Sequence, residues 1–108
     1  MLHSILEKNY NKTPEKVAVV YDNNIYTYTE LWLSVKKLAK WIDINLDSRA
    51  TVGILSDNSY EAVIVIYSIV MSNRICVPLD ADMHERNMKY IINDASIDLI
   101  FTSKKYLK

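Results

Sequence analysis

The sequence predicts an α/β fold in which an N-terminal β-hairpin precedes a βαβαβ unit with a layered, mostly parallel sheet. A β-rich run at residues 17–21 is followed by turn residues and a second short run. Further along, strand-like runs at residues 52–55, 75–77 and 97–101 alternate with helix-like segments, the pattern of parallel βαβ units. No repeat, linker or low-complexity tract interrupts this order, so residues 1–108 predict one unit without an internal domain boundary.

The N-terminal segments predict a short helix and a hairpin. Residues 2–11 have apolar side chains at helical spacing, and Thr13-Pro14 ends that pattern because proline disfavours helix at the residue before it. Asp22-Asn23-Asn24 separates two β-favouring runs, as turn residues do in a hairpin.

Residues 28–46 predict the most regular helix of the chain. Its apolar residues Leu31, Val35, Leu38 and Ile42 recur at steps of four, three and four. Thr27 and Glu30 have the spacing of a capping box, in which the cap hydroxyl alone contributes about 1 kcal/mol. We therefore interpret this motif as structural rather than catalytic.

The first βα unit combines a strand at residues 52–55 with a helix that contains the apolar run at residues 62–71. Asn58, with Glu61 three residues later, predicts the helix cap. The helix is rich in β-branched residues and is expected to be buried on almost all sides. Asn73 is expected to close it in a left-handed conformation.

The second unit begins with a strand at residues 75–77, which Pro78 ends because it cannot donate to a sheet ladder. Asp82, followed by Glu85, predicts the start of a third amphipathic helix. Residues 97–102 then predict a last strand with an open edge and an uncovered apolar face, a source of self-association.

Composition excludes several classes of partner. Half of the 108 residues are hydrophobic and only three are glycine or proline, as in a packed domain. Thirteen basic and thirteen acidic residues cancel, so no net field favours nucleic acid or an anionic membrane. The same neutrality favours self-association.

The most apolar segment, residues 62–71, has about half of the ~20 residues that are needed to cross a bilayer, so it is expected to belong to the core.

Cys76 is the only cysteine, so no internal disulfide or cysteine-based metal cluster can form. Its position between Ile75 and Val77 predicts an apolar core residue rather than a reactive thiol. The N-terminal segment lacks the basic and apolar regions of a secretory signal. These features predict a reducing, cytoplasmic location.

Five segments, in order, resemble motifs of the adenylate-forming acid ligases, the superfamily of acyl- and aryl-CoA synthetases, nonribosomal-peptide adenylation domains and firefly luciferase. Tyr26–Leu31 resembles the motif L-T-Y-x-E-L, and Val77–Asp80 resembles V-P-L-D. The other three are the opening at 13–18, the strand and helix at 52–70, and the stretch at 85–95. The chain departs from the family at Asn73-Arg74, where glycines are usual, and at Cys76, where an aromatic residue is usual.

This resemblance implies a two-step reaction. A carboxylate attacks the α-phosphate of Mg-ATP to give an acyl-adenylate, and a thiol of coenzyme A or of a carrier protein then takes the acyl group. The family uses a Ser/Thr/Gly-rich loop with a lysine to hold the phosphates, but Gly53 is the only glycine of this chain and lies in an apolar run. We therefore expect an incomplete portion of the large N-terminal domain of an acid ligase, which alone is inactive and binds no ATP.

The remaining candidate residues have structural explanations, so we assign no catalytic, cofactor-binding or metal-binding residue. His84 lies at a predicted helix start, and His3 lies in a terminal segment; neither can be paired with a nucleophile from the sequence. Helix capping and the helix dipole account for the acidic residues Asp80, Asp82 and Glu85. The two tryptophans, Trp32 and Trp41, are expected in the core or in a partner contact.

Three functions remain open from the sequence. The first is part of an acid–AMP ligase, completed by the remainder of the ligase or by a partner subunit. The second is a stand-alone, non-catalytic interaction module derived from that fold, with a carrier protein as one candidate partner. The third, a flavodoxin-like nucleotide binder, is disfavoured because the loops at residues 57–59 and 78–83 contain no glycine. Whether the chain is itself an enzyme is left open by the sequence.

Overall fold

The computed structural model describes residues 2–80 and 82–103, and it has the predicted α/β architecture. The helices of the described residues are α1 (Leu2–Lys12), α2 (Tyr28–Asn45), α3 (Tyr60–Met71) and α4 (Glu85–Asp94). The strands are β1 (Val17–Tyr21), β2 (Asn24–Thr27), β3 (Thr51–Leu55), β4 (Ile75–Pro78) and β5 (Leu99–Thr102).

The strands form two sheets. β1 and β2 pair as an antiparallel hairpin, and the other three form a parallel sheet in the order β4-β3-β5. β3 is central, with Val52 opposite Cys76 on one side and Leu99 on the other. Both β4 and β5 are therefore edge strands among the described residues, and the predicted open edge of the last strand is confirmed.

Local turn chemistry acts as the sequence predicts. Asp22 and Asn23, at the hairpin turn, have φ angles of 51° and 66°. Tight hairpin turns require such positive angles, and Asp and Asn tolerate them better than most residues. Asn73, with φ of 62°, closes α3 in the expected left-handed conformation.

The capping box of α2 is confirmed. The Thr27 hydroxyl accepts from the Glu30 backbone N–H at 3.2 Å, and Glu30 Oε1 accepts from the Thr27 backbone N–H at 3.0 Å. Two backbone donors at the helix start are thereby satisfied.

The predicted caps of the other two helices were wrong. Ser59 rather than Asn58 caps α3, with its hydroxyl accepting from the Ala62 N–H at 3.0 Å. His84 rather than Asp82 caps α4, with Nδ1 accepting from the Arg86 N–H at 3.1 Å. Each helix begins later than predicted, so the nearer polar residue takes the cap position.

The core lies where α1, α2 and α3 pack together and against one face of the parallel sheet. It consists of two clusters of buried side chains: Leu6, Leu31, Trp32, Val35 and Tyr60, and Ile42, Ala50, Val52 and Ile69. Within the described residues, no helix is long and apolar enough to cross a membrane.

The expectation that α3 is buried on almost all sides was wrong. Tyr60, Ala62, Ser68 and Ile69 are buried, whereas residues 63–67 are only half-buried. In the described part of the chain α1, α2, the hairpin and a sheet of only three strands contact α3, and part of its apolar circumference remains accessible.

The second face of the sheet is thinly covered. A Cβ atom on Gly53 would lie 3.3 Å from Ile100 Cγ1 and 3.4 Å from Leu79 Cδ1, so the glycine leaves room for these two side chains. The helix α4 contributes no fully buried residue. This side of the molecule therefore has much less packing than the side formed by α2 and α3.

Candidate functional site

The best candidate site is a cleft at the carboxyl ends of β3 and β5, beside the N-terminus of α3. Open parallel sheets bind ligands at this end of their strands. The cleft has a volume of about 390 Å³. The described residues that line it are Tyr21, Ile54, Ser56, Asp57, Ser59, Glu61, Ala62, Val65, Phe101, Thr102 and Ser103.

Structural hydrogen bonds hold several polar groups of this cleft. Thr102 Oγ1 donates to the Leu55 carbonyl at 2.8 Å and ties the ends of β5 and β3 together. The Ser59 hydroxyl is occupied as the cap of α3, and Ser56 Oγ donates to the Asp57 carbonyl at 3.1 Å. These groups shape the cleft rather than offer free catalytic hydroxyls.

The charges of the cleft do not match a nucleotide phosphate. Its described lining includes the carboxylates of Asp57 and Glu61 but no lysine, arginine or glycine. A phosphate at the N-terminus of α3 would meet the Glu61 carboxylate and, among the described lining residues, no glycine that could form a backbone cradle. The described lining of the cleft therefore does not supply the positive charge that phosphoryl chemistry requires.

An aromatic contact joins the hairpin to the start of α3. The rings of Tyr26 and Tyr60 stack with a centroid distance of 3.6 Å. Burial raises the pKa of Tyr60 above its ordinary value, and a hydrogen bond with Ser34 acts in the opposite direction. Tyr26, which belongs to the family-like motif, therefore serves packing.

Arg74 is a nearly buried cation whose structural role the sequence pattern does not predict. Its side chain is 7% exposed and donates to the carbonyls of Asp47, Leu46 and Ser72 at 3.1, 2.9 and 2.7 Å. It also pairs with the Asp43 carboxylate. Arg74 thus closes the C-terminal end of α2, and the only sequence signal was its place where the family usually has glycine.

The structure does not bring the other candidate residues together into one site. Cys76 is half-buried in β4, where burial raises the pKa of its thiol. Asp80, Asp82 and Glu85 are exposed. Among the residues described, no group of three or more His, Cys, Asp or Glu side chains could hold a metal ion.

The two tryptophans have different environments. Trp32 is buried and stacks on Tyr10 with a centroid distance of 5.6 Å. Trp41 is 45% exposed and packs edge-on against Phe101 of β5, with centroids 6.2 Å apart. The first is a core residue, whereas the second lies at the surface near the open edge of the sheet.

Comparison with known proteins identifies relatives that are much longer than this chain. The family model described as AMP-binding enzyme matches residues 6–108. Bacitracin synthase 3 of Bacillus licheniformis is 31% identical over 105 residues, which are 96% of this chain and 2% of the relative. Gramicidin S synthase 1 of Brevibacillus brevis is 28% identical over 104 residues, which are 95% of this chain and 10% of the relative. The chain therefore spans a tenth or less of these two curated relatives.

Solved structures show the same fold. The N-terminal subdomain of Klebsiella oxytoca NpsA matches with a TM-score of 0.87 and 22% identity, over 95% of this chain and 27% of its own. NpsA-ThdA, an artificially fused adenylation–PCP di-domain from the same organism, matches with a TM-score of 0.89 and 21% identity, over 99% of this chain and 21% of its own.

A third solved structure with the same fold is that of a coenzyme A synthetase. O-succinylbenzoate coenzyme A synthetase (MenE) from Bacillus subtilis, in complex with ATP and magnesium, matches with a TM-score of 0.87 and 20% identity, over 94% of this chain and 28% of its own. The family model covers residues 6–108, so the chain belongs to the AMP-binding enzyme family, and its fold matches that of a part of the NpsA N-terminal subdomain.

Proposed function

We propose that this chain is the N-terminal part of an ATP-dependent ligase that activates a carboxylic acid as an acyl-adenylate. The acid is an amino, fatty or aryl acid, and the acyl group then passes to a thiol of coenzyme A or of a carrier protein. The observation that carries this proposal is the family match over residues 6–108. Membership in a family of adenylate-forming enzymes links the fold to this reaction class.

We further propose that the chain is inactive alone. In a complete ligase, Mg-ATP supplies the adenylyl group and the charge compensation for its transfer. The described lining of the cleft includes no lysine, arginine or glycine, so these residues by themselves do not supply the charge and the backbone cradle that a polyphosphate needs. The role of this chain is then to build one wall of the domain, with β3 at its centre.

The partner is the rest of the ligase, either in the same polypeptide or as a separate subunit. Two observations support this: the segment spans 27% of the NpsA subdomain, and both edges of its parallel sheet are unpaired among the described residues. A cytoplasmic location follows as an expectation, because the substrates ATP and coenzyme A belong to that compartment.

Complementation tests this function. We would measure ATP–pyrophosphate exchange with a panel of acids, using the purified chain alone and the chain mixed with an NpsA adenylation domain that lacks its corresponding segment. We expect exchange only from the mixture. The matched control supplies the NpsA segment itself in place of this chain.

Two results would contradict the proposal. One is exchange by the chain alone. The other is exchange restored by the NpsA segment but not by this chain. A complex that forms without any exchange would favour the alternative, a non-catalytic interaction module.

The mass of the native protein in cells of the source gives an independent measurement. A species several times heavier than the 12.6 kDa of this chain supports a complete ligase. A species near that mass supports a separate small protein and makes its binding partner the question.

A further inference from the structure

A second concave surface lies on the outward side of α2. We call it the α2 groove; it has a volume of about 490 Å³. Its lining residues are Ser34, Lys37, Leu38, Lys40, Trp41 and Ile44. Trp41 is 45% exposed and Ile44 is 71% exposed, so two large apolar side chains face solvent beside each other on one helix. Exposed apolar surface of this kind marks an interaction site when it is rimmed by polar groups.

The lining of the α2 groove carries positive charge. Lys37 and Lys40 line it, and its lining contains no acidic residue. The nearest acidic residue along the helix, Asp43, is paired with Arg74. A groove lined by apolar side chains together with two lysines is complementary to an amphipathic helix that carries acidic residues.

The α2 groove is continuous with the open side of the sheet. Trp41 packs against Phe101 at a centroid distance of 6.2 Å, and Phe101 belongs to the edge strand β5. A polypeptide that extends the sheet beyond β5 therefore passes directly beside the groove. The homologous segment is only 27% of the NpsA subdomain, which leaves most of such a subdomain to supply that polypeptide.

We propose that the α2 groove receives an amphipathic helix that carries acidic residues and belongs to the polypeptide that completes the adenylation subdomain. This inference rests on the proposed function and names the surface through which the rest of the ligase engages this chain. A second copy of the chain is a poorer occupant, because a two-fold contact would place the lysines of one groove against those of the other.

The experiment measures the affinity of this chain for the NpsA adenylation domain that lacks its corresponding segment. Trp41→Ala should weaken the complex by about tenfold or more, as expected for an aromatic anchor. Ile44→Ser is a second variant that tests the same surface. The exposed Ile44 side chain contributes little to folding, so this variant should stay folded and report on binding alone. The double charge reversal Lys37→Glu with Lys40→Glu should weaken the complex most at low salt.

Matched controls change exposed residues elsewhere. Tyr90→Ala removes an aromatic side chain that is 69% exposed on α4, and Lys8→Glu with Lys12→Glu reverses two exposed charges on α1. We expect these variants to bind within about twofold of the original chain, since neither site adjoins the α2 groove.

The outcomes separate this inference from the proposed function. A complex that restores exchange but is insensitive to all the groove variants overturns the inference and leaves the function standing. Self-association of the chain that Trp41→Ala abolishes also overturns it, because the groove then binds a second copy. If the NpsA segment forms the complex and this chain does not, both proposals fail.

Discussion

At the scale of single residues, Arg74 stabilises the end of α2 by donating side-chain hydrogen bonds to backbone carbonyls. Asn73 adopts the left-handed angle that closes α3, and Arg74 turns back onto the end of α2. Its donors satisfy carbonyl groups that a helix end leaves without partners. The arginine therefore stabilises the junction between α2 and α3 instead of binding a ligand.

The first prediction concerns this junction. Arg74→Met should lower the free energy of unfolding by roughly 2 to 3 kcal/mol, because several hydrogen bonds to a charged group are lost and two partly buried carbonyls lose their donor. Asp43→Asn should cost less than about 1 kcal/mol, since the Asp43 side chain is 59% exposed and its ion pair is screened. Urea unfolding of both variants tests the difference. Equal losses would contradict the assignment of the stabilisation to the carbonyl contacts.

The second prediction concerns Cys76 and pH. Burial raises the pKa of its thiol in the folded chain, so the unfolded chain loses the proton first as the pH rises. The stability from this group is complete below the unfolded pKa of about 8.5 and is lost as the pH rises through the folded value. The free energy of unfolding, measured from neutral to alkaline pH, should therefore fall more steeply for the wild-type chain than for Cys76→Ala. If the free energy of unfolding falls equally with pH in both proteins, the thiol has the same pKa in the folded and the unfolded chain, and the prediction is wrong.

At the scale of elements, the starts of the helices distinguish two kinds of sequence signal. Thr27 and Glu30 cap α2 as predicted, because the capping box requires only local spacing. For α3 both Asn58 and Ser59 are good cap residues, and tertiary packing decides between them. Tyr60 is stacked on Tyr26, which fixes it as the first helical residue and leaves the cap position to Ser59.

The third prediction tests this choice of cap. Ser59→Ala should destabilise the chain by about 1 kcal/mol, because the Ala62 N–H loses its acceptor. Asn58→Ala should change the stability by less than about 0.5 kcal/mol, as for an ordinary exposed position. Thermal or urea unfolding of the pair provides the measurement, and the reverse ranking would restore Asn58 as the cap.

Local signals predicted most of the fold but little of the candidate site. Apolar periodicity identified α2, and turn residues identified the hairpin and the left-handed Asn73. The contact of Trp41 with Phe101 joins residues far apart in the sequence, so no local pattern contains it. The same holds for Arg74 and Asp43, and for the exposure of α3, which depends on how many elements surround it.

At the scale of the whole molecule, the parallel sheet and the net charge act together. Within residues 2–80 and 82–103, two edge strands present unpaired backbone groups, and a formal charge of zero provides little mutual repulsion. Copies of the isolated chain should therefore associate through the edge of the sheet when the polypeptide that completes it is absent.

The backbone geometry of β5 shows how to block that association selectively. The Asp98 N–H donates to the Thr51 carbonyl at 2.8 Å, on the side of β3. Backbone N–H groups alternate in direction along a strand, so the N–H of Leu99 points to the open edge and that of Ile100 points back to β3. Proline at Leu99 therefore removes an edge donor without removing a bond within the sheet.

The fourth prediction follows from this alternation. The wild-type chain should show concentration-dependent association in sedimentation velocity, and Leu99→Pro should shift it towards the monomer. Leu99→Ala, which also shortens the side chain but keeps the edge N–H, should associate like the wild type. Ile100→Pro should unfold the chain or lower its stability by roughly 3 kcal/mol, because it breaks the ladder to β3. Association that persists unchanged in Leu99→Pro would place the contact elsewhere than the edge of β5, whereas loss in both Leu99 variants would assign it to the side chain.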